Sequence, residues 1–201
     1  DDLMLRADTA LYDAKEAGRG RHTVYSPQLG ARSRRRLAVE AGLRQAIANG
    51  ELALHWQPRV DIDSGQIVGV EALMRWTHPV LGRVPPVEFI AVAETCGRID
   101  DLGLWALHIA CGAAAGPLAG LQVSVNVSAL QLREPAFVSD VGRIIDRFGL
   151  RPGSLTLELT ESTLLDDSEG ALRAVSALRQ AGLRLAVDDF GTGYSSLAAL
   201  K

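Results

Sequence analysis

The sequence contains few lysine, cysteine and aromatic residues. Only Lys15 and Lys201 are lysines among its 21 basic residues, so a lysine-dependent active site has few positions to use. Its cysteines, Cys96 and Cys111, lie in apolar helical patterns, which predicts reduced core residues rather than a disulfide framework. His108 is three residues from Cys111, but two ligands are too few for a zinc site, so packing explains it better.

Long hydrophobic runs are also missing, as is any excess of positive charge. No apolar run approaches the roughly 18 residues of a membrane span, and the N-terminus lacks a signal-peptide pattern. We therefore expect a cytoplasmic chain without a membrane span, although an upstream region could tether the parent protein to the inner membrane. The net charge of −3 argues against a nucleic-acid polymer as partner, and 47% hydrophobic content is ample for a core.

Residues 1–27 differ in pattern from the rest. An amphipathic helix is predicted over residues 3–18, followed by a short apolar segment at 23–25, and it has no evident core of its own. We expect it to be the tail of an upstream domain. Residues 28–50 are predicted to form a linker helix with an arginine cluster at 32–36, for which a solvated surface is a commoner explanation than a nucleic-acid or lipid contact.

From Leu52 onward, strands and helices alternate. Strands are predicted at 52–62, 66–73, 121–127, 155–159 and 183–187, and helices at 87–97, 99–115, 134–148, 168–180 and from 195. A hairpin-type turn at 63–65 joins the first two strands. Strands that are apolar throughout, separated by amphipathic helices, indicate a parallel sheet covered by helices. A TIM-type barrel and a doubly wound open sheet both fit, although the first strand has no Gly-x-Gly-x-x-Gly segment after it.

Oxygen-bearing side chains lie at the carboxyl ends of four of the predicted strands: Glu71, Asn126 and Glu158 in the last few strand residues, and the pair Asp188-Asp189 directly after the strand. A single acidic residue at a strand end is usually a helix cap. Four in series indicate a site instead, because the carboxyl ends of barrel strands meet at one face. Carboxylate and amide oxygens are the ligands that Mg²⁺ and similar cations prefer. The sequence therefore predicts a hard-metal site.

Short motifs in a fixed order carry a family resemblance. The segment Glu71-Ala72-Leu73-Met74-Arg75-Trp76 strongly resembles the EAL domain family of cyclic di-GMP phosphodiesterases. Further matching segments are Trp56-Gln57-Pro58, Glu88-Phe89-Ile90, Ala93-Glu94, Asn126-Val127-Ser128, Glu158-Leu159-Thr160-Glu161 and residues 188–196. The resemblance runs from about residue 36 to the last residue. Residues 1–25 resemble the closing helix and strand of a GGDEF diguanylate cyclase domain, without its signature motif. We expect a GGDEF remnant at 1–27, a linker helix at 28–50 and a partial EAL domain at 51–201.

The resemblance implies a (β/α)₈ barrel of the TIM type with one reversed strand, of which this chain would hold about five strands. It implies a two-metal site for Mg²⁺ or Mn²⁺, with the first metal on Glu71, Asn126, Glu158 and Asp188, and the second held with help from Asp189. Gln57, Leu73 and Arg75 match positions near the nucleotide, and an arginine fork suits a phosphate. The implied catalytic residues are Glu71, Asp188, Asp189 and Glu161, the last as anchor of the loop after Asp189.

The activity implied by the resemblance is metal-dependent hydrolysis of cyclic di-GMP to linear pGpG in bacterial signalling. We expect the full-length parent to form a homodimer or larger assembly. The family's later lysine, aspartate, glutamate and glutamine have no counterpart here, since Lys201 falls too early. The 201-residue chain alone is therefore expected to be inactive and to expose a strand edge that promotes association. The alternative is a catalytically inactive cyclic di-GMP receptor, a class that usually lacks a metal ligand.

Overall fold

The computed structural model describes residues 2–16, 18, 20–151, 153–160 and 169–188. Within these ranges the helices are α1 (Asp2–Glu16), α2 (Pro27–Ala46), α3 (Pro86–Thr95), α4 (Ile99–Ala115), α5 (Ala129–Arg133), α6 (Phe137–Phe148) and α7 (Glu169–Gln180). The strands are β1 (Leu52–Val60), β2 (Ile67–His78), β3 (Gly82–Val84), β4 (Gln122–Val127), β5 (Leu155–Thr160) and β6 (Arg184–Asp188). Glu161, Asp189, Lys201 and the helix predicted from residue 195 lie outside the described residues.

The strands form one sheet in the order β1-β2-β4-β5-β6, with β3 attached to β2. The first strand, β1, is antiparallel to β2, whereas β2, β4, β5 and β6 are mutually parallel. The prediction of a parallel sheet with a reversed first strand is thereby confirmed, and the predicted strands correspond to β1, β2, β4, β5 and β6. The short β3 is a second strand antiparallel to β2. Among the described residues, β1 and β6 end the main strand order, and the short β3 pairs with β2 alone.

Two short elements and one strand boundary differ from the sequence prediction. The strand β2 continues to His78 because its second half pairs with β1 on one side and β3 on the other. Glu71 therefore lies inside β2, near the end of its parallel pairing with β4, and not at the strand's end. Neither β3 nor α5 was predicted. The apolar segment at 23–25 forms no strand, since residues 22–26 have no regular structure, and α2 begins at Pro27 with Ser26 as its cap.

The two faces of the sheet differ in chemistry. Strand β5 reads Leu-Thr-Leu-Glu-Leu-Thr and β4 alternates in the same way, so the expectation of strands apolar throughout is wrong. Leu155, Leu157 and Leu159 are buried in the main core, which they share with side chains of α4, α6 and α7. The alternate side chains, among them Ser124, Thr156 and Glu158, point to the opposite face. Helix packing is thus confined to one face at these strands, and polar groups gather on the other.

The predicted linker helix α2 packs into a second core. Val39, Leu43 and Ala46 are buried there in one cluster with Trp76 and Phe89. Two of the clustered arginines have partners within the protein. Arg35 donates from Nε and Nη2 to the Glu88 carboxylate of α3 at 2.5 and 2.9 Å, and the Arg36 guanidinium lies 5.2 Å from the centre of the Tyr12 ring.

The remaining structural predictions concern the N-terminal helix, the cysteines and membrane crossing. Helix α1, for which no core was evident in the sequence, packs against α2 and buries Ala10 and Ala14. Cys111 is buried and Cys96 partly buried, both as free thiols, and His108 packs edge-on against Phe148. In the part of the chain that the structure describes, none of the helices combines the length and apolar content that crossing a bilayer requires.

Candidate active site

Three carboxylates converge on the polar face of the sheet. Glu71 of β2, Glu158 of β5 and Asp188 at the end of β6 each place one carboxylate oxygen within 4.8 Å of the others. Strand pairing places these residues at similar heights in the sheet. Asn126 of β4 pairs with Glu158 of β5, and Thr160, two residues after Glu158, pairs with Asp188 of β6. The Asn126 amide nitrogen donates to Glu71 Oε1 at 2.8 Å. Its Oδ1 is therefore the amide oxygen available to a cation.

Electrostatics at this cluster are unfavourable without a counter-charge. Glu158 is only 9% exposed, and burial raises the pKa of its carboxyl above the ordinary value, an effect to which the nearby charges of Glu71 and Asp188 add. One cation opposes this shift, because Arg59 Nη1 lies 3.5 Å from Glu158 Oε1. An all-oxygen group of three acids and an amide has the composition of a site for a hard divalent cation.

The predicted nucleotide-contacting residues lie on the same face, beside the carboxylates. Gln57 is level with Glu71 in the β1–β2 pairing, and partners in such a pair project from the same face. Leu73 and Arg75 follow along β2 and line a pocket of about 320 Å³ between β2, α3, α4 and the end of β4. The Arg75 side chain donates from Nη1 to the Met74 carbonyl oxygen at 2.9 Å.

A hydrogen-bonded cap that the sequence prediction missed lies next to this pocket. Ser128 begins α5 with a capping box: its hydroxyl accepts from the Leu130 N–H, and its own N–H donates to the Gln131 side chain at 3.1 Å. The Ser128 hydroxyl also donates to Glu94 Oε1 of α3 at 2.6 Å. The spacing Ser128-x-x-Gln131 is a recognised capping-box signature, and this signal could have identified α5.

Gln131 is held against a glycine of α4. Its side chain is 1% exposed, and a Cβ added at Gly103 would lie 2.0 Å from Gln131 Nε2. Non-bonded heavy atoms cannot approach so closely, so a side chain at position 103 would force the buried Gln131 side chain to shift and would disturb its bond to the Ser128 N–H. Gly103 is therefore required for the cap beside the pocket.

Replacing Gly103 by alanine is expected to lower the free energy of unfolding by about 1–3 kcal/mol, the usual cost of overpacking a core. The matched control is Gly142→Ala in α6, where an added Cβ meets nothing within 4 Å. There alanine should stabilise by about 0.5–1 kcal/mol, because glycine is a poor residue for a helix interior. Thermal melting of both variants is the measurement, and equal shifts of the same sign would contradict the close packing of Gly103.

Arg59 is a second functional candidate that the sequence prediction missed. It lies opposite Gly69 in the β1–β2 pairing, and a Cβ at Gly69 would be 2.9 Å from Arg59 Nη2. The missing side chain at Gly69 therefore leaves the space through which Arg59 approaches Glu158. The sequence signal for this approach was Gly69, which lies two residues before Glu71 and therefore on the same face of the strand.

Comparison with known proteins gives a consistent result. The family model of the EAL domain matches residues 40–201. An uncharacterised signalling protein of Caulobacter vibrioides is 44% identical over 199 residues, which are 99% of this chain and 25% of that protein. The bifunctional diguanylate cyclase/cyclic di-GMP phosphodiesterase MucR of Pseudomonas aeruginosa is 39% identical over 204 residues, covering all of this chain and 30% of that protein.

Solved structures agree in fold. The structure of the PaMucR phosphodiesterase in complex with c-di-GMP superposes with a TM-score of 0.75 at 40% identity, and the match covers 81% of this chain and 68% of that one. The architecture is thus the TIM-like (β/α)₈ barrel of EAL domains, in agreement with the sequence prediction and not with a doubly wound sheet. The chain spans about a quarter to a third of the length of the curated relatives that it matches.

Proposed function

Because this chain belongs to the EAL domain family, we propose that its parent protein hydrolyses cyclic di-GMP to linear pGpG in bacterial signalling. The observation that carries this proposal is the oxygen cluster of Glu71, Asn126, Glu158 and Asp188 on the polar face of the sheet. The names of relatives support the substrate. MucR is described as a bifunctional diguanylate cyclase/cyclic di-GMP phosphodiesterase, and the PaMucR phosphodiesterase structure is a complex with c-di-GMP.

Mg²⁺ or Mn²⁺ is the cofactor that this cluster fits best. The described donors are three carboxylates and one amide, without sulfur or imidazole, which favours hard cations over Zn²⁺. A cation would also relieve the repulsion among carboxylates that lie within 4.8 Å of one another. When bound, a pair of such ions activates water and offsets the charge on phosphate oxygens. We assign the first metal ion to Glu71, Asn126, Glu158 and Asp188, and the second metal ion to a position that includes Asp189.

The protein's own residues would orient the nucleotide. Arg75 on the pocket wall offers a planar guanidinium to a phosphate oxygen, a geometry that lysine lacks. Gln57, level with Glu71, and Leu73, in the apolar lining, would contact the nucleotide beside the reacting phosphate. From the family resemblance we also assign Glu161 as the anchor of the loop that follows Asp189.

The surroundings of the domain are a further part of the proposal. We propose that residues 1–27 are the end of a GGDEF domain, that residues 28–50 lead into the EAL domain, which follows from 51, and that the parent acts in the cytoplasm as a homodimer or larger assembly. Alignment of the whole chain with MucR, whose name includes a diguanylate cyclase, supports the first assignment.

The test is hydrolysis by the full-length protein after metal removal. We expect conversion of cyclic di-GMP to pGpG, followed by chromatography, with Mg²⁺ or Mn²⁺ but little with Ca²⁺, whose longer bonds and looser geometry suit in-line attack poorly. Calorimetry of nucleotide binding is run in parallel. Tight binding without turnover would instead support the receptor alternative, and highest activity with Zn²⁺ would contradict the assignment of the ligands.

A further inference from the structure

The bond between Glu94 and Ser128 joins two elements that are distant in sequence. Glu94 lies near the end of α3, and Ser128 lies 34 residues later, where β4 passes into α5. At 2.6 Å it is a short hydrogen bond from a hydroxyl to a carboxylate, a type roughly twice as strong as a neutral one. Both residues line the pocket beside the carboxylate cluster.

Ser128 is the first residue after β4, and several hydrogen bonds hold it in place. Its carbonyl oxygen accepts from the Gln131 N–H at 3.1 Å, its N–H donates to the Gln131 side chain, and its hydroxyl accepts from the Leu130 N–H. Asn126 is only two residues earlier and has an exposed side chain that donates to Glu71. The position of Ser128 therefore limits how far the end of β4, and with it the Asn126 amide, can move.

Capping alone does not account for the Glu94 contact. The capping box of α5 is complete with Ser128 and Gln131, and it uses the Ser128 hydroxyl as an acceptor. The hydroxyl proton is not needed for that box, and it is donated to α3 instead. Glu94 thus ties the end of β4 to a helix that is also attached to α2 through Glu88 and Arg35.

We propose that Glu94 is a positioning residue for the metal site, acting through Ser128 to hold Asn126 with its amide oxygen toward the carboxylate cluster. The inference rests on the proposed function, because it takes Asn126 to be a metal ligand. Outer partners that orient metal ligands typically contribute about 10–100-fold to metal affinity or activity. Glu94 does not itself contact the metal or the reacting phosphate in this proposal.

The experiment measures Mn²⁺ binding to nucleotide-free full-length protein by calorimetry and by the Mn²⁺ paramagnetic resonance spectrum. Glu94→Ala should weaken Mn²⁺ binding by about tenfold or more, whereas Glu94→Gln, which keeps an acceptor oxygen for Ser128, should stay within about threefold of the wild type. Glu40→Ala in α2 is the control, because Glu40 pairs only with nearby Arg44 in the described contacts, and it should leave affinity unchanged.

A double-mutant cycle tests whether Glu94 acts through Ser128. Ser128→Ala should weaken Mn²⁺ binding as well, and adding Glu94→Ala to it should cause little further loss, since both remove the same bond. If Glu94→Ala does not fold, Ser128→Ala and Ser128→Thr, which retains the hydroxyl, make the same comparison from the other end of the bond.

The outcomes separate the two proposals. A wild-type protein that binds no Mn²⁺ would refute the proposed function itself. If the wild type binds and Glu94→Ala binds equally well, the positioning role is wrong. Equal weakening by Glu94→Ala and Glu94→Gln would also overturn it, because the charge of Glu94, and not its bond to Ser128, would then be responsible. The same holds if the two substitutions prove fully additive.

Discussion

Glutamine at position 71 is expected to remove metal binding from the full-length protein and to lower cyclic di-GMP hydrolysis by more than about 100-fold, the upper cost of losing an outer partner of a ligand. Glutamine keeps the size of Glu71 and an oxygen that can accept from the Asn126 amide, so the fold around the site should be preserved. It removes the negative charge of one of the three converging carboxylates. Calorimetry with Mn²⁺ and chromatography of the product are the measurements.

The same substitution at Glu40, a partly buried residue of α2 that pairs with Arg44, is the matched control and should change neither quantity. An unaltered Mn²⁺ affinity and turnover in Glu71→Gln would mean that the convergence of Glu71 with Glu158 and Asp188 is a structural coincidence. The hydrolytic site would then have to be sought elsewhere in the protein.

Glu158→Gln is expected to act in opposite directions on the metal-free and metal-loaded protein. Without metal, the substitution removes a buried carboxyl group. Its pKa is raised by burial and by the charges of Glu71 and Asp188, although the charge of Arg59 opposes this shift. The melting temperature should therefore rise, by about 2–4 °C for each kcal/mol gained in a domain of this size. With excess Mn²⁺ the wild type should be stabilised by ligand binding, while Glu158→Gln should gain little.

The dependence on pH has a defined sign. Since the pKa of Glu158 is higher in the folded than in the unfolded state, the folded protein holds this proton to a higher pH. Its contribution to metal-free stability is fully present below the ordinary glutamate pKa of about 4.3 and is lost as pH rises through the raised value. Melting curves of metal-free wild type and Glu158→Gln across this range are the measurement. A variant that shows the same loss of stability as the wild type would contradict the assignment to Glu158.

Much of the sheet could be predicted because it depends on local signals. The turn at 63–65 and the reversed β1 follow from a glycine-containing link between two apolar runs, and the acids at 71, 158 and 188 stand at recognisable places in those runs. The predicted ligands converge because parallel strands place residues at similar heights. Alternation in β5 was also visible in the sequence, but a run rich in leucine is easily interpreted as buried on both faces.

The contacts between elements could not be predicted. Arg35 donates to Glu88 and Ser128 to Glu94 across 53 and 34 residues, and no periodicity in the chain reports such pairings. Arg59 reaches Glu158 across 99 residues, which required knowing that Gly69 leaves space between them. The short elements β3 and α5 were missed because so few residues carry little pattern.

The separation of the two faces of the sheet has an evolutionary consequence. The leucines and valines that hold β4 and β5 to the helices alternate along the strands with Asn126 and Glu158. The proposed metal ligands and the core residues are therefore different residues of the same strands. Natural selection can therefore lose the polar residues without disturbing the apolar residues that keep the protein folded. If the proposed function holds, substitution of Asn126 or Glu158 would remove hydrolysis and leave the core intact, so a receptor could arise from a phosphodiesterase through few substitutions.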